Sequence, residues 1–284
     1  MTTSAIVPEL LSVDFFTSSI SGSTMAEIPD SRAQIELLVN CKTYPAVSTK
    51  YTETVCTGGV DHDGNFIRLY PIPFRLLEKD EQYSRWDIIR VSAYRDTKDQ
   101  RPESWHYVHG TPIEVIGKVE SEKERWDWMR TVIFHGAQDL ESQGLTNGLV
   151  EIEPLEFFWK PDKTEWTEKQ KSEIRQGSLM FDKTDIAERV PYQFRLKYRE
   201  IATGREGEGK VLAWSYYVGF LRQRSTLGSD EAALNAIVDI VKGRIFSSKN
   251  RVFAILGAHS RFGSWMISAL YHVKKEVCRQ KGFL

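Results

Sequence analysis

Short runs of β-branched and aromatic residues, each broken by a turn signal, constrain this chain more than any other feature. Residues 35–41, 54–58, 66–70, 86–93 and 111–119 are five such runs. Between the second and third lies Asp61-His62-Asp63-Gly64-Asn65, whose Asp-Gly step marks a hairpin turn. Pro71 and Pro73 close the third run, because proline cannot donate to a ladder, and a short helical turn is expected around residues 74–79. Five short strands with turns between them predict a small antiparallel barrel within residues 31–160.

The pattern then changes period. Ser121 with Glu124 three residues on forms a capping box, and Trp126, Met129, Val132 and Ile133 give the following helix an apolar face. Residues 149–159 return to strand, and 161–184 are polar and charged, so a linker is expected there. A second part is expected over 185–284: a strand at 192–201, a turn rich in glycine (Gly204, Gly207, Gly209), a helix at 211–222, and a helix at 231–245 capped by Asp230. Strands at 252–256 and 265–272 then flank a loop at 257–263. Residues 1–30 are rich in Ser and Thr without a period, and read as a disordered leader. The fold class expected is α+β and strand-rich, a small antiparallel barrel followed by a second α+β part.

Composition narrows the function. Hydrophobic residues at 41% and charged residues at 27% are those of a globular chain. The absence of an apolar run of about 18 residues argues against a membrane span, and no signal-peptide pattern opens the chain. Cys41, Cys56 and Cys278 lie far apart with no CxxC pair, which fits a reducing cytoplasm and not a zinc ribbon. Cys56 is expected to be buried and reduced. No Walker A pattern, dinucleotide fingerprint or HExxH is present, and no cofactor is expected. Residues 185–284 carry 17 Lys and Arg against 9 Asp and Glu, a balance of +8, while residues 1–184 carry −9. Such asymmetry points to a polyanion-facing surface on the second part, with solvated charge as the plainer alternative.

Several residue sets could carry that contact. Arg68 and Tyr70 are two apart on one strand and face the same side, so they could clamp and stack a nucleotide. Arg101, Glu103 and Trp105 form a cluster able to bind a base by stacking and edge hydrogen bonds, or else a packed loop with an internal ion pair. Arg195 and Lys197 share a strand face, and Arg222 and Arg224 follow an apolar helix beside Tyr216 and Tyr217. His259 and Arg261 sit in a glycine-flanked loop suited to phosphate. Asp61, His62 and Asp63 could hold a metal, but a solvated hairpin turn is the better reading.

The order Cys56-Thr57-Gly58-Gly59, Phe66-Ile67-Arg68-Leu69-Tyr70-Pro71, Trp86-Asp87-Ile88-Ile89 and Arg101-Pro102-Glu103-Ser104-Trp105 resembles the bacterial dual OB-fold domain family over roughly residues 35–120. Gly58 stands where that family has Ala, and Ser104 where it has Asn. The resemblance implies an OB-like first barrel and recognition of nucleic acid or modified nucleotides in phage-conflict systems. The function expected is nucleic-acid or nucleotide binding as a module of a bacterial phage-defence or DNA-modification system, with possible protein partners in a defence complex. The alternatives are a phosphodiesterase or nucleotide hydrolase using His259 and Arg261, and a structural adaptor.

Overall fold

Residues 33–118 form a sheet that closes on itself. The computed structural model describes residues 32–48, 52–162, 168, 172, 187–258 and 264–279. Strands β1 (Ala33–Lys42), β3 (Thr52–Val60), β4 (Phe66–Ile72), β5 (Asp87–Tyr94) and β6 (Ser104–Tyr107) pair in the cyclic order β1-β3-β4-β6-β5-β1. The short β2 (Ala46–Ser48) adds to β3, and β7 (Ile113–Lys118) adds to β5. Every pairing is antiparallel except β4–β6, so the expected antiparallel sheet contains one parallel step. A five-stranded barrel closing in the order first-second-third-fifth-fourth is the Greek-key arrangement of the OB fold.

Period-two patterning builds this barrel. In β5, Ile89, Val91 and Ala93 point inward and are fully buried, while Arg90 faces solvent. The β3–β4 hairpin is fixed by Asp61, whose carboxylate accepts from the Asn65 backbone N–H (2.7 Å) and side-chain amide (3.0 Å), with Gly64 at φ +81°. Gly59 lets β3 approach β1: a Cβ there would lie 2.4 Å from Leu37 Cδ1 and 2.6 Å from the Leu38 carbonyl oxygen. Cys56 is half-buried, not buried as expected, because it sits at a register irregularity between Val55 and Thr57. Cys41 is the buried thiol, and burial pushes its pKa up to about 12.

The rest of the chain repeats the same closure. Strands β9 (Asn147–Pro161), β10 (Tyr192–Glu200), β11 (Glu206–Val211), β12 (Asn250–Ala258) and β13 (Trp265–Lys274) pair in the order β9-β10-β11-β13-β12-β9. The single parallel step again joins the third and fifth strands, β11 and β13. The two-residue β8 (Ile133–Phe134) runs parallel to β9 at the margin. Thus the strand expected to end the first part opens the second barrel, and the 161–184 stretch connects neighbouring strands of one barrel, β9 and β10. Helix α1 (Glu122–Met129) and the short α2 (Ala137–Ser142) lie between the barrels in sequence. The long helices α3 (Trp214–Leu227) and α4 (Asp230–Ile245) bridge the third and fourth strands of the second barrel, and α5 (Lys275–Arg279) follows its last strand.

The helices follow their sequence signals with small shifts. Ser121 caps α1 by accepting from the Glu124 N–H. The cap of α4 is Ser229 and not Asp230, because Ser229 keeps an extended backbone while its Oγ accepts from the Ala232 N–H at 3.3 Å. Asp230 is instead the first helical residue, where a negative charge favours the helix dipole, and its carboxylate accepts from the Tyr192 hydroxyl at 3.0 Å. The expected helix at 211–222 begins only at Trp214, since Glu206–Val211 is taken up by β11.

An apolar seam joins the barrels. Cys41, Val60 and Phe66 of the first share one buried cluster with Trp126 and Met129 of α1 and with Phe253 and Leu256 of the second. The chain leaving β1 crosses over: the Tyr44 N–H donates to the Leu212 carbonyl at 2.8 Å, and the Tyr44 ring stacks on Tyr217 at 5.0 Å. Glu103, expected in a ligand cluster, is 3% exposed and ties the first barrel to the start of β9. Its Oε1 accepts from the Thr146 N–H (2.7 Å), the Thr146 hydroxyl (2.5 Å) and the Asn147 amide (2.9 Å). Removing this buried carboxylate leaves the Thr146 N–H and hydroxyl without their acceptor, while the Asn147 amide keeps only its bond to Thr146 Oγ1 at 3.1 Å. Glu103→Ala is therefore expected to cost about 2–3 kcal/mol, read from urea unfolding. A loss under about 0.5 kcal/mol, the level of an ordinary surface change, would contradict this role.

Lys42 lies in the same seam. Its ammonium sits 3.1 Å from the Phe74 ring centroid, 4.9 Å from that of Trp214 and 5.2 Å from that of Tyr83, and it donates to the Tyr83 carbonyl at 3.1 Å. Burial pulls its pKa down to about 7, against the opposing charge of Asp87. The ring faces favour the cation as Asp87 does. A lysine whose folded pKa lies below its unfolded value makes the unfolded chain the stronger proton binder between the two, so stability rises with pH there. Between pH 7 and 9 the wild type is expected to gain about 2 kcal/mol relative to Lys42→Met in parallel urea titrations. Parallel curves for the two proteins would show that the ammonium stays charged in the folded state.

Candidate nucleic-acid interface

Alternation along β4 sets the first part of the site. Ile67 and Leu69 are buried on one face, so Arg68 and Tyr70 fall on the other, as the sequence spacing requires. The Arg68 guanidinium lies 5.0 Å over the Tyr70 ring. Its Nη1 donates to the Ser104 hydroxyl at 2.7 Å and lies 3.5 Å from Asp99. The β4–β6 parallel pairing brings this about, since Arg68 is in register with Ser104.

The loop between β5 and β6 completes the arrangement. Asp99 receives a two-point contact from Arg101, Nε at 2.7 Å and Nη2 at 2.6 Å, together with the Ser104 hydroxyl at 2.7 Å. Burial would raise the Asp99 pKa, but the hydrogen bonds from Arg101 and Ser104 and the Arg101 charge outweigh it and hold the carboxyl well below the usual carboxylate range. Arg95 stacks at 4.0 Å over the Trp105 ring and donates to the carbonyls of Pro102 and Ser104. Across Arg68 and the loop 95–101, four cations (Arg68, Arg95, Lys98, Arg101) face two carboxylates (Asp96, Asp99). The result is a cationic rim with two aromatic rings, each already paired with a guanidinium. Such a rim can take phosphate on its arginines and a base on an aromatic face.

The sequence-predicted residues divide. Arg68, Tyr70, Arg101 and Trp105 meet around Asp99 and Ser104. Glu103 lies in the same loop, but its side chain points into the seam. On the second barrel, Arg195 donates to Glu208 at 2.5 Å and Lys197 to Glu156 at 2.7 Å. Arg224 pairs with Glu188 at 2.7 Å, and Arg222 is exposed on α3. His259 and Arg261 lie outside the described residues. Asp61, His62 and Asp63 form the hairpin turn, with His62 against the Trp128 ring at 4.7 Å. Arg95 and Asp99 were missed by sequence reasoning. Their signal was the alternation of charge between Arg95 and Arg101, where Asp99 lies two residues from Arg101.

The fold and this rim define a two-barrel protein of OB topology with a cationic face on the first barrel. A family model described as a domain of unknown function (DUF8758) matches residues 33–135, the first barrel together with α1 and β8. No curated protein matches the chain. Among solved structures, the chain is similar to the tetrameric p202 HIN2 at 10% identity and a TM-score of 0.30, with 86% of this chain and 92% of that one covered. It is also similar to a replication protein A heterotrimer bound to ssDNA at 9% identity and a TM-score of 0.24, with 87% and 67% covered. At these scores neither likeness carries an argument.

Asp99 organises the loop, so its charge governs loop order. In Asp99→Asn the amides of residues 95–104 are expected to exchange hydrogen about ten- to a hundredfold faster, the loss of one to two charge-assisted bonds, while core amides of β5 keep their rates. Unchanged exchange in the loop would mean that packing of Trp105 and Arg95 orders it instead.

Proposed function

We propose that the protein binds single-stranded nucleic acid or a nucleotide through the outer face of its first barrel. The observation that carries this reading is the Arg68–Tyr70 pair on β4 beside the Arg95–Trp105 pair, with Arg101 oriented by Asp99. OB barrels present this strand face and the adjoining loop to oligonucleotides. Arginine held by a carboxylate is pre-oriented, so less side-chain freedom is lost when phosphate arrives. The four cations of the rim supply attraction, and Tyr70 and Trp105 supply stacking surface. The wider role in this reading is a module of a bacterial phage-defence or DNA-modification system, in keeping with the dual OB-fold resemblance over residues 35–120.

A mobility-shift panel of single-stranded DNA, duplex DNA and RNA at two salt concentrations tests the reading. Single strands are expected to bind best, with log affinity falling against log salt at a slope of about −2 to −3 for three to four phosphate contacts. Arg68→Ala and Tyr70→Ala should each weaken binding by about 1–3 kcal/mol, with the salt slope reduced only by Arg68→Ala. Binding that is absent at low salt, or equal in both variants and wild type, sinks the proposal.

A further inference from the structure

The first barrel's strand β5 has two ends, and the second carries a different kind of site. Arg95 follows its last residue, while Arg85 and Trp86 precede its first, about 25 Å away along an eight-residue strand. There a cleft of about 490 Å³ opens between the barrels, lined by Arg85, Trp86, Arg125, Arg244, Lys249 and Tyr271 among others. That volume lies in the range of small-molecule sites.

Cations outnumber acids in this cleft: Arg85, Arg125, Arg244, Lys249 and Lys274 line it with Glu122. The guanidinium of Arg85 lies 4.6 Å from the Trp86 ring centroid and that of Arg125 5.1 Å from it, so two like charges share one indole. Each donates a hydrogen bond to a backbone carbonyl, Arg85 to Leu270 at 3.1 Å and Arg125 to Val119 at 2.9 Å. Among the described residues neither is ion-paired, and neither are the exposed Arg244 and Lys249 on the rim. Glu122 is the acidic residue of the lining, and its carboxylate accepts from the Lys274 N–H at 2.9 Å. Two buried polar atoms of the lining, Arg85 Nε and the Tyr271 hydroxyl, have no hydrogen-bond partner, and Tyr271 is 3% exposed. Buried polar groups without partners call for an explanation such as a bound group.

The backbone is also held in an uncommon state here. Trp86 has φ +75°, in the left-handed region that a bulky side chain rarely occupies. It is pinned by its N–H donating to Val39 O and by its carbonyl accepting from Val119 N–H, both at 2.8 Å. This conformation places the indole between the two arginines. Strain of this kind clusters at ligand sites.

We propose that this cleft is a second, separate anion site, which takes a phosphate-bearing group carrying at least two negative charges. Arginine forks match phosphate oxygens two at a time, and five cations against one acid on the wall favour a polyanionic head such as pyrophosphate over a single carboxylate. The same chemistry is offered by a free phosphorylated small molecule and by the terminal phosphate of a nucleic-acid strand.

Calorimetric titration of the full chain with inorganic pyrophosphate at low ionic strength tests the site. Saturable binding is expected in the wild type, and in Arg68→Ala as well, because that residue belongs to the other end of the barrel. Arg125→Gln and the double variant Arg244→Glu with Lys249→Glu should each weaken binding about tenfold or more. The two rim positions are exposed, so the double variant keeps the test open if Arg125→Gln fails to fold, and thermal unfolding checks both. Displacement of pyrophosphate by a 5′-phosphorylated oligonucleotide but not by its 5′-hydroxyl counterpart assigns the source to a strand end. Displacement by nucleoside triphosphate alone assigns it to a free small molecule, and either result supports the site. No saturable binding up to about 10 mM, a Kd unchanged in the rim variant, or an equal loss in Arg68→Ala overturns it.

Discussion

The apolar seam between the two barrels is the constraint on which the rest of the molecule depends. Phe66 and Val60 have to serve two purposes at once, as hairpin residues of the first barrel and as part of the cluster that contains Trp126, Phe253 and Leu256. An open face of that size would be costly on its own, since large exposed apolar patches drive association. Covering it with a second barrel places polar chain segments against one another, and several of their atoms find partners: Tyr44 N–H with Leu212, Glu103 Oε1 with Thr146 and Asn147, Arg85 Nη2 with Leu270. The seam thus dictates where buried polar groups must be satisfied, and some are left over: Arg85 Nε and the Tyr271 hydroxyl in the cleft beside Trp86, and Glu103 Oε2 elsewhere.

Strand pairing also explains the charge imbalance between the two parts of the sequence. Strand β9 carries Glu151, Glu153 and Glu156, while β10 carries Arg195, Lys197 and Arg199. The two are antiparallel neighbours, and the acids answer the bases: Lys197 with Glu156, Arg199 with Glu153, and Arg251 of β12 with Glu151. A division of the chain at residue 184 separates these partners, so one side reads as acidic and the other as basic. In the fold much of that charge cancels across the ladder, where exposed pairs are worth little individually but lower the field that a polyanion would feel. Other cations of the second part, Arg222, Arg244 and Lys249 among them, stay exposed without an ion pair among the described residues, and a further cationic group sits on the first barrel around Asp99.

Four of the first barrel's five strands were legible because they alternate cleanly and are broken by Asp-Gly and proline; the closing strand β6 fell in the stretch read as a ligand loop, and the fifth expected run, 111–119, became β7 outside the ring. The second barrel was not, although its closure is the same. Its first two strands are separated by some thirty residues, and its third, Glu-Gly-Glu-Gly-Lys-Val, has the composition of a turn. The glycines are there because neighbours crowd the strand: a Cβ at Gly207 would lie 2.7 Å from the Tyr198 ring, and one at Gly209 would lie 3.1 Å from Ile267. Tertiary packing, which single-strand propensity does not see, decided that segment. The Arg68–Tyr70 pairing could be read from a spacing of two, whereas Glu103 could not be placed, since the donors it serves lie 43 and 44 residues away in the chain.

The two arginine groups differ in a way that bears on what each can do. Around Asp99, Arg101 and Arg68 are held by a carboxylate whose ionised form is strongly favoured, so their charge is partly spent before any ligand arrives. A phosphate meeting them would compete with Asp99 for the same N–H donors, which in the proposed reading favours modest affinity and rapid exchange. Around Trp86 the guanidiniums have no such counter-charge, and burial pulls the Arg85 pKa down. An anion entering there gains pairing that the protein does not supply, in a partly desolvated setting where charge-assisted bonds are stronger. The same side chain, placed at the two ends of one strand, thus meets a bonded carboxylate at one end and no ion-pair partner among the described residues at the other.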